Sequence, residues 1–156
     1  MTIRRAKQED KEALWSIQTQ AIRRQGLSHY SLEQVDTWAG GNTHRPEMYT
    51  ESIDKDVFLV ADDDGRVVGF THLKDQTGEI CALYVHPDYM GRGIGRMLFE
   101  RVQEETHRVN ITKLYVKASL NAVEFYKKMG FISDQQIMHR FRGGMQIPCM
   151  IMSKVI

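Results

Sequence analysis

The stretch from Glu79 to Arg108 narrows the choice of architecture most, because the hydrophobic period changes abruptly within it. Glu79 to Val85 is continuously apolar after its first residue and reads as a buried strand. Pro87 stops it, and glycines follow at 91, 93 and 95. A helix is then predicted from about Gly93 to Arg108, with Ile94, Met97, Leu98 and Val102 on one face. Lys113 to Ala118 reads as the next strand, so this region is one strand–helix–strand crossover.

The elements around that crossover differ in kind. Thr2 to Ala6 alternates weakly and reads as a short strand. Ala13, Leu14, Ile17 and Ala21 share a helical face, and Gly26 is a stop. Ser31, with Gln34 three residues on, is a capping box for a second helix that ends at Gly40-Gly41. Pro46 and Glu47 open a third, to about Ile53. Val57 to Ala61, Val67 to Leu73 and Glu79 to Val85 then form an antiparallel meander, its first turn marked by Asp64-Gly65. Asn121 to Met129 is a short helix, and Phe131 to Arg142 with Ile147 to Lys154 a terminal hairpin around Gly143-Gly144. The order β-α-α-α-β-β-β-α-β-α-β-β is that of an α+β fold.

At 156 residues, 42% hydrophobic and 26% charged, the chain is expected to form one domain, 1–156. Lys and Arg number 21 against 20 acidic residues, so no basic field suggests a nucleic-acid partner. Cys81 and Cys149 form no CxxC pair and have no His at zinc-ligand spacing. Neither a metal site nor a disulfide is expected, and both thiols should lie reduced in or near the core. No apolar segment follows the N-terminal charges, and the longest apolar runs fall far short of the roughly 20 residues that span a bilayer. The expectation is a soluble, cytoplasmic protein with no membrane partner.

The sequence Met90-Gly91-Arg92-Gly93-Ile94-Gly95-Arg96 joins a strand to a helix start. Free amides and the helix dipole there suit a phosphate or pyrophosphate, and Arg92 and Arg96 add charge. The loop lacks the Gly-Lys-Ser/Thr ending of a P-loop, and its GxGxG spacing is not the GxGxxG of dinucleotide folds. A glycine-rich connection made for tight packing is the plain alternative.

The stretch from Leu83 to Gly95 resembles the acetyl-CoA loop of the GCN5-related N-acetyltransferases, with its pattern Gln/Arg-x-x-Gly-x-Gly/Ala. Asn121-Ala122-Val123-Glu124-Phe125-Tyr126-Lys127-Lys128-Met129-Gly130-Phe131 is similar to that family's second signature, N-x-x-x-F-Y-x-x-x-G-F, in the family's order and separation. The resemblance implies a mixed, mostly antiparallel sheet flanked by helices, acetyl-CoA as co-substrate, an amine acceptor and no metal. It implies pantetheine pairing with the backbone of Leu83, Tyr84 and Val85, and pyrophosphate on the amides of Gly91, Arg92, Gly93, Ile94, Gly95 and Arg96. Met90 departs from the pattern: a thioether cannot donate to a phosphate oxygen.

The resemblance also implies direct attack of the amine on the thioester, with Tyr126 as general acid and Asn121 at a CoA-contacting position. A phenol of pKa about 10 is close enough to a thiol of about 8.5 to give or share a proton. The alternatives are a core aromatic for Tyr126 and a helix N-cap for Asn121. Glu79 stands eleven residues before Met90, the spacing of a glutamate base in the histone-modifying branch. An ammonium of pKa about 10.4 against an unperturbed carboxylate near 4.3 disfavours direct abstraction, so burial or a water relay would have to help. A solvated strand-end carboxylate is equally open. Cys81, in the same strand, reads as a small buried filler rather than a nucleophile.

His29-Tyr30-Ser31-Leu32-Glu33-Gln34-Val35-Asp36-Thr37-Trp38-Ala39 is similar to a segment in a branch of bacterial acetyltransferases. His29 and Tyr30 are candidate substrate residues, and Trp38 reads as helix core. A small-molecule amine is the expected acceptor. A protein or peptide amine, or a non-catalytic acyl-CoA-binding module, is the alternative. A homodimer is an expectation from the family alone.

Overall fold

The order of elements is the one the hydrophobic periods predict. A computed structural model describes the backbone of residues 1–156 and every side chain except that of Arg142. Strand β1 (Thr2–Arg5) is followed by helices α1 (Lys11–Gln25), α2 (Leu32–Trp38) and α3 (Thr50–Lys55). Strands β2 (Val57–Asp63), β3 (Arg66–Lys74) and β4 (Glu79–Val85) form the meander. The crossover comprises α4 (Ile94–Arg108) and β5 (Lys113–Ser119). Helix α5 (Val123–Lys128) and the hairpin β6 (Ile132–Arg140) and β7 (Gln146–Val155) complete the chain.

The sheet runs β1-β2-β3-β4-β5-β7-β6, and β4–β5 is its parallel pair. Period-two alternation sends Phe58, Val60 and Phe70 to the face under α1, where they meet Leu14, Trp15 and Ile17. Val57, Leu59, Leu73 and Ile80 point the other way, onto Phe99 and Val102 of α4. The α+β fold and its mixed sheet are therefore as expected. Two burial expectations are corrected. Met97 is 37% exposed, because it sits at the margin of the α4 stripe that Ile94, Leu98 and Val102 bury. Cys81 is exposed rather than a core filler.

The exposure of Cys81 has a backbone cause. In the β3–β4 ladder, His72 pairs with Ala82 and Leu73 with Ile80, so Cys81 is the extra residue of a β-bulge. A bulge bends its strand and increases the local twist. Strands β4 and β5 pair only at Glu79/Tyr115 and Ile80/Val116, and they part where the bulge begins. A wedge-shaped gap opens in the middle of the sheet.

Helix α2 closes one side of the molecule near that gap. Its start is a reciprocal cap: Gln34 N–H donates to Ser31 Oγ (3.1 Å), and Ser31 N–H to Gln34 Oε1 (3.0 Å). Tyr30, just before it, is buried. Its hydroxyl donates to the Pro148 carbonyl (2.6 Å) and accepts from Leu120 N–H (2.8 Å). One phenol thus fastens the α2 segment to β7 and to the turn after β5. Tyr30→Phe leaves both backbone groups without that partner. It is expected to cost about 1–3 kcal/mol and to lower Tm by roughly 3–10 °C, measured by thermal denaturation.

Candidate active site

The gap between β4 and β5 exposes backbone. His86 N–H donates to the Val68 carbonyl (2.8 Å), and the β3–β4 register is regular from Gly69/Val85 to His72/Ala82. Alternation along an antiparallel ladder turns the amides and carbonyls of Tyr84 and Ala82 towards β3. Those of Leu83 and Val85 therefore face the gap, where β5 no longer pairs. An extended amide-bearing chain could add there as a strand.

The glycine loop lies beyond the end of β4. Gly91 (φ 77°) and Gly93 (φ 81°) are left-handed, and Gly93 is the N-cap of α4. The backbone, not crowding, demands glycine at these two positions, since a Cβ at either would meet nothing. Gly95 is different: a Cβ there would stand 3.2 Å from the Phe125 ring and 3.6 Å from Leu83. Tight packing therefore accounts for Gly95, and backbone conformation for Gly91 and Gly93. The helical ladder opens with Met97 N–H donating to the Gly93 carbonyl (3.0 Å), so the amides of Ile94, Gly95 and Arg96 lie before it. The Ile94 side chain is core, and only its amide faces the loop.

The side chains of the loop are partly engaged. Arg92 lies over the Tyr89 ring (4.8 Å) and donates to the Asp88 carbonyl (3.1 Å), while Arg96 pairs with Glu100 (2.8 Å). At Met90, where a side-chain donor was expected to be missing, Gln25 from the end of α1 places its amide nitrogen 3.0 Å from the sulfur. An amide donor therefore stands at the rim of the loop, supplied by another element.

A cavity of about 620 Å³ runs along the gap and under α1 and α2. Leu83, Ala122 and Tyr126 line it, as do Glu79 and Cys81. Tyr126 is 5% exposed, and its hydroxyl has no hydrogen-bond partner among the described residues. Burial pushes the phenol far above its usual range, so it keeps its proton throughout neutral pH. Cys81 Sγ contacts the Glu79 carbonyl at 3.8 Å; the residue as a whole is exposed, but the protein packed around its sulfur and the nearby Glu79 push the thiol up to about 11. A thiol held protonated is a poor nucleophile. Glu79 accepts a hydrogen bond from the Tyr115 hydroxyl (3.3 Å), one residue before Ile80/Val116, the last pair before the strands part.

Asn121 does not cap α5, whose N-cap is Ala122. It sits in a 3-10 turn, Leu120–Ala122, with its Oδ1 buried and unpartnered. The free loop amides and the open β4 edge fit an elongated ligand carrying both amides and phosphates, and the orphan acceptor of Asn121 adjoins Ala122 of the cavity wall.

On the acceptor side, Tyr30 and Trp38 line the cavity, but the Tyr30 hydroxyl is fully engaged by backbone. His29 is exposed, lies away from the cavity wall and contacts Ser28 Oγ (2.7 Å). Sequence reasoning passed over Trp15, Arg45, Met48, Lys74 and Lys117, which the fold brings to this wall. They come from four separate elements and share no motif, so no spacing could have exposed them.

Comparison with known proteins agrees with this geometry. A family described as Acetyltransferase (GNAT) domain matches residues 26–152. The chain is 32% identical to the peptidyl-lysine N-acetyltransferase YjaB of Salmonella typhimurium over 138 residues, covering 84% of this chain and 83% of that protein. N-acetyltransferases named ycf52 from red algae are matched over only 39% to 67% of their own length. A GCN5-related N-acetyltransferase of Rhodopseudomonas palustris superposes with a TM-score of 0.91 at 29% identity, covering 99% of this chain and 95% of that one. The structure of yncA from Salmonella typhimurium, solved with its cofactor acetyl-CoA, has a TM-score of 0.74 at 20% identity, covering 99% and 93%, and shows the shared fold. No helix among the described residues is long and apolar enough to cross a membrane.

The free amides of the glycine loop, the unpaired edge of β4 and the proton-bearing Tyr126 thus occur in a chain that belongs to the GNAT acetyltransferase family, the acetyl-CoA-dependent N-acetyltransferases.

Proposed function

We propose that this protein transfers the acetyl group of acetyl-CoA to a primary amine of a small molecule. The observation that carries the small-molecule reading is the walled acceptor chamber. It is continuous with the β4–β5 gap and roofed by the α2 segment, which Tyr30 fastens to β7. The cavity as a whole, gap and acceptor side together, measures about 620 Å³, within the range of small-ligand pockets.

Acetyl-CoA supplies an activated thioester. Leu83 and Val85 would hold its amide-bearing arm by strand addition, and the amides from Gly91 to Arg96, with Gln25 at the rim, would take the pyrophosphate. Asn121 Oδ1 would accept from the same molecule. The acceptor amine attacks the carbonyl directly, and no thiol on the wall is activated to intervene. Tyr126, which holds its proton at physiological pH, would give it to the departing sulfur as the carbon–sulfur bond breaks. Glu79 is the one carboxylate on the cavity wall among the described residues. It anchors the acceptor's ammonium and passes its proton to solvent through water, which avoids direct transfer between groups about six pKa units apart when unperturbed. A lysine side chain of a peptide is the second reading, favoured by the likeness to YjaB.

Tyr126→Phe is expected to lower kcat by about 10²- to 10⁴-fold, read as CoA thiol release against a panel of amines, with the acetyl-CoA Kd unchanged. Because the phenol stays protonated, the wild-type rate should show no alkaline decline attributable to this group below about pH 10. Gly93→Ala should do the reverse. A left-handed alanine costs about 1–2 kcal/mol, so acetyl-CoA binding measured by calorimetry should weaken by about 5- to 30-fold.

A further inference from the structure

We infer that the acceptor carries a carboxylate, bound by Arg45, so that the substrate is a small zwitterion of the amino acid class; this rests on the small-amine reading above.

Arg45 lines the acceptor chamber, and its side chain makes no hydrogen bond and no ion pair among the described residues. Its Nε is sealed from solvent without an acceptor. Native structures rarely leave a buried N–H unpaired, and here the whole guanidinium lacks the partner that its charge calls for at the chamber wall. A guanidinium is matched best by a planar carboxylate, which accepts two parallel N–H bonds.

Charge around the chamber points the same way. Lys74 and Lys117 also reach its wall and form no ion pair among the described residues, while Glu79 is the single carboxylate there. Three cations against one anion make the wall positive, although the whole chain is only +1. A simple cationic amine would be repelled from most of this surface. A zwitterion meets both signs, its ammonium at Glu79 and its carboxylate at Arg45. Trp15, Trp38 and Met48 supply an apolar wall for a side chain between them.

The coenzyme's own phosphates do not explain Arg45. Gln25, which touches Met90 at the glycine loop, ends α1, and Trp15 lies ten residues earlier on that helix. At 1.5 Å per residue the two are about 15 Å apart along the axis. Arg45 belongs to the Trp15 end: its neighbour His44 sets its ring edge-on to Trp15, with centroids 6.0 Å apart.

The test uses the CoA-loaded protein and needs no turnover. N-acetylphenylalanine, N-acetyltryptophan and N-acetylmethionine, as product analogues, are each compared with their carboxamides by calorimetry. At least one acid should bind about tenfold or more tightly than its amide. Arg45→Gln should reduce that preference to within about twofold, and Arg45→Lys should retain part of it. Melting of the free variants, and their stabilisation by CoA alone, should match the wild type. Acids and amides binding alike, neither binding, or a preference that survives Arg45→Gln would each overturn the assignment while leaving the acetyltransferase reading intact. A wild type that CoA fails to stabilise would overturn both.

Discussion

Everything at this site depends on the failure of β4 to stay paired with β5. Two residue pairs join the strands, and then the bulge at Cys81 bends β4 away. Unpaired backbone amides inside a protein are normally costly. Here they are tolerated because they face a cavity that admits solvent or ligand. The position of the bulge sets where the sheet opens. It leaves Glu79 in the paired part of β4, with Leu83 and Val85 beyond the opening, and Tyr126 of α5 lines the same cavity.

Two tyrosines on the same cavity show how partners, not residue type, decide a role. The Tyr30 hydroxyl donates to one backbone carbonyl and accepts from one backbone amide, so it is structural. The Tyr126 hydroxyl has no protein partner among the described residues and keeps its proton because it is buried. The same desolvation raises the Cys81 thiol and removes it from consideration as a nucleophile. On one cavity, then, both the phenol and the thiol stay in their protonated forms at neutral pH.

Local signals were read well where local chemistry determines the outcome. The Ser31–Gln34 box, the Asp64-Gly65 turn and the Pro87 stop are each dictated by the conformational demands of a few adjacent residues. Readings failed where the answer depends on another element. Met97 falls at the margin of a stripe whose width is set by the sheet beneath it. Cys81 looks like a strand interior until the register with β3 makes it a bulge. Asn121 resembles a cap, but the turn after β5 winds one residue further before α5 begins. Gln25 beside Met90 could not be foreseen, since 65 residues separate them.

The order of strands and helices, the glycine loop from Gly91 to Arg96 at a helix start and the pairing of Asn121 with Tyr126 in one signature were in the sequence, because each is a matter of neighbours along the chain. The sequence alone also carried the family resemblance and hence the co-substrate. The acceptor chamber was decided only by tertiary structure. Its wall draws Trp15 from α1, Trp38 from α2, Arg45 from the segment before α3, and Lys74 and Lys117 from strands β3 and β5. No periodicity links those positions. They meet because a bulged strand opens the sheet and a tyrosine holds a helix across the opening.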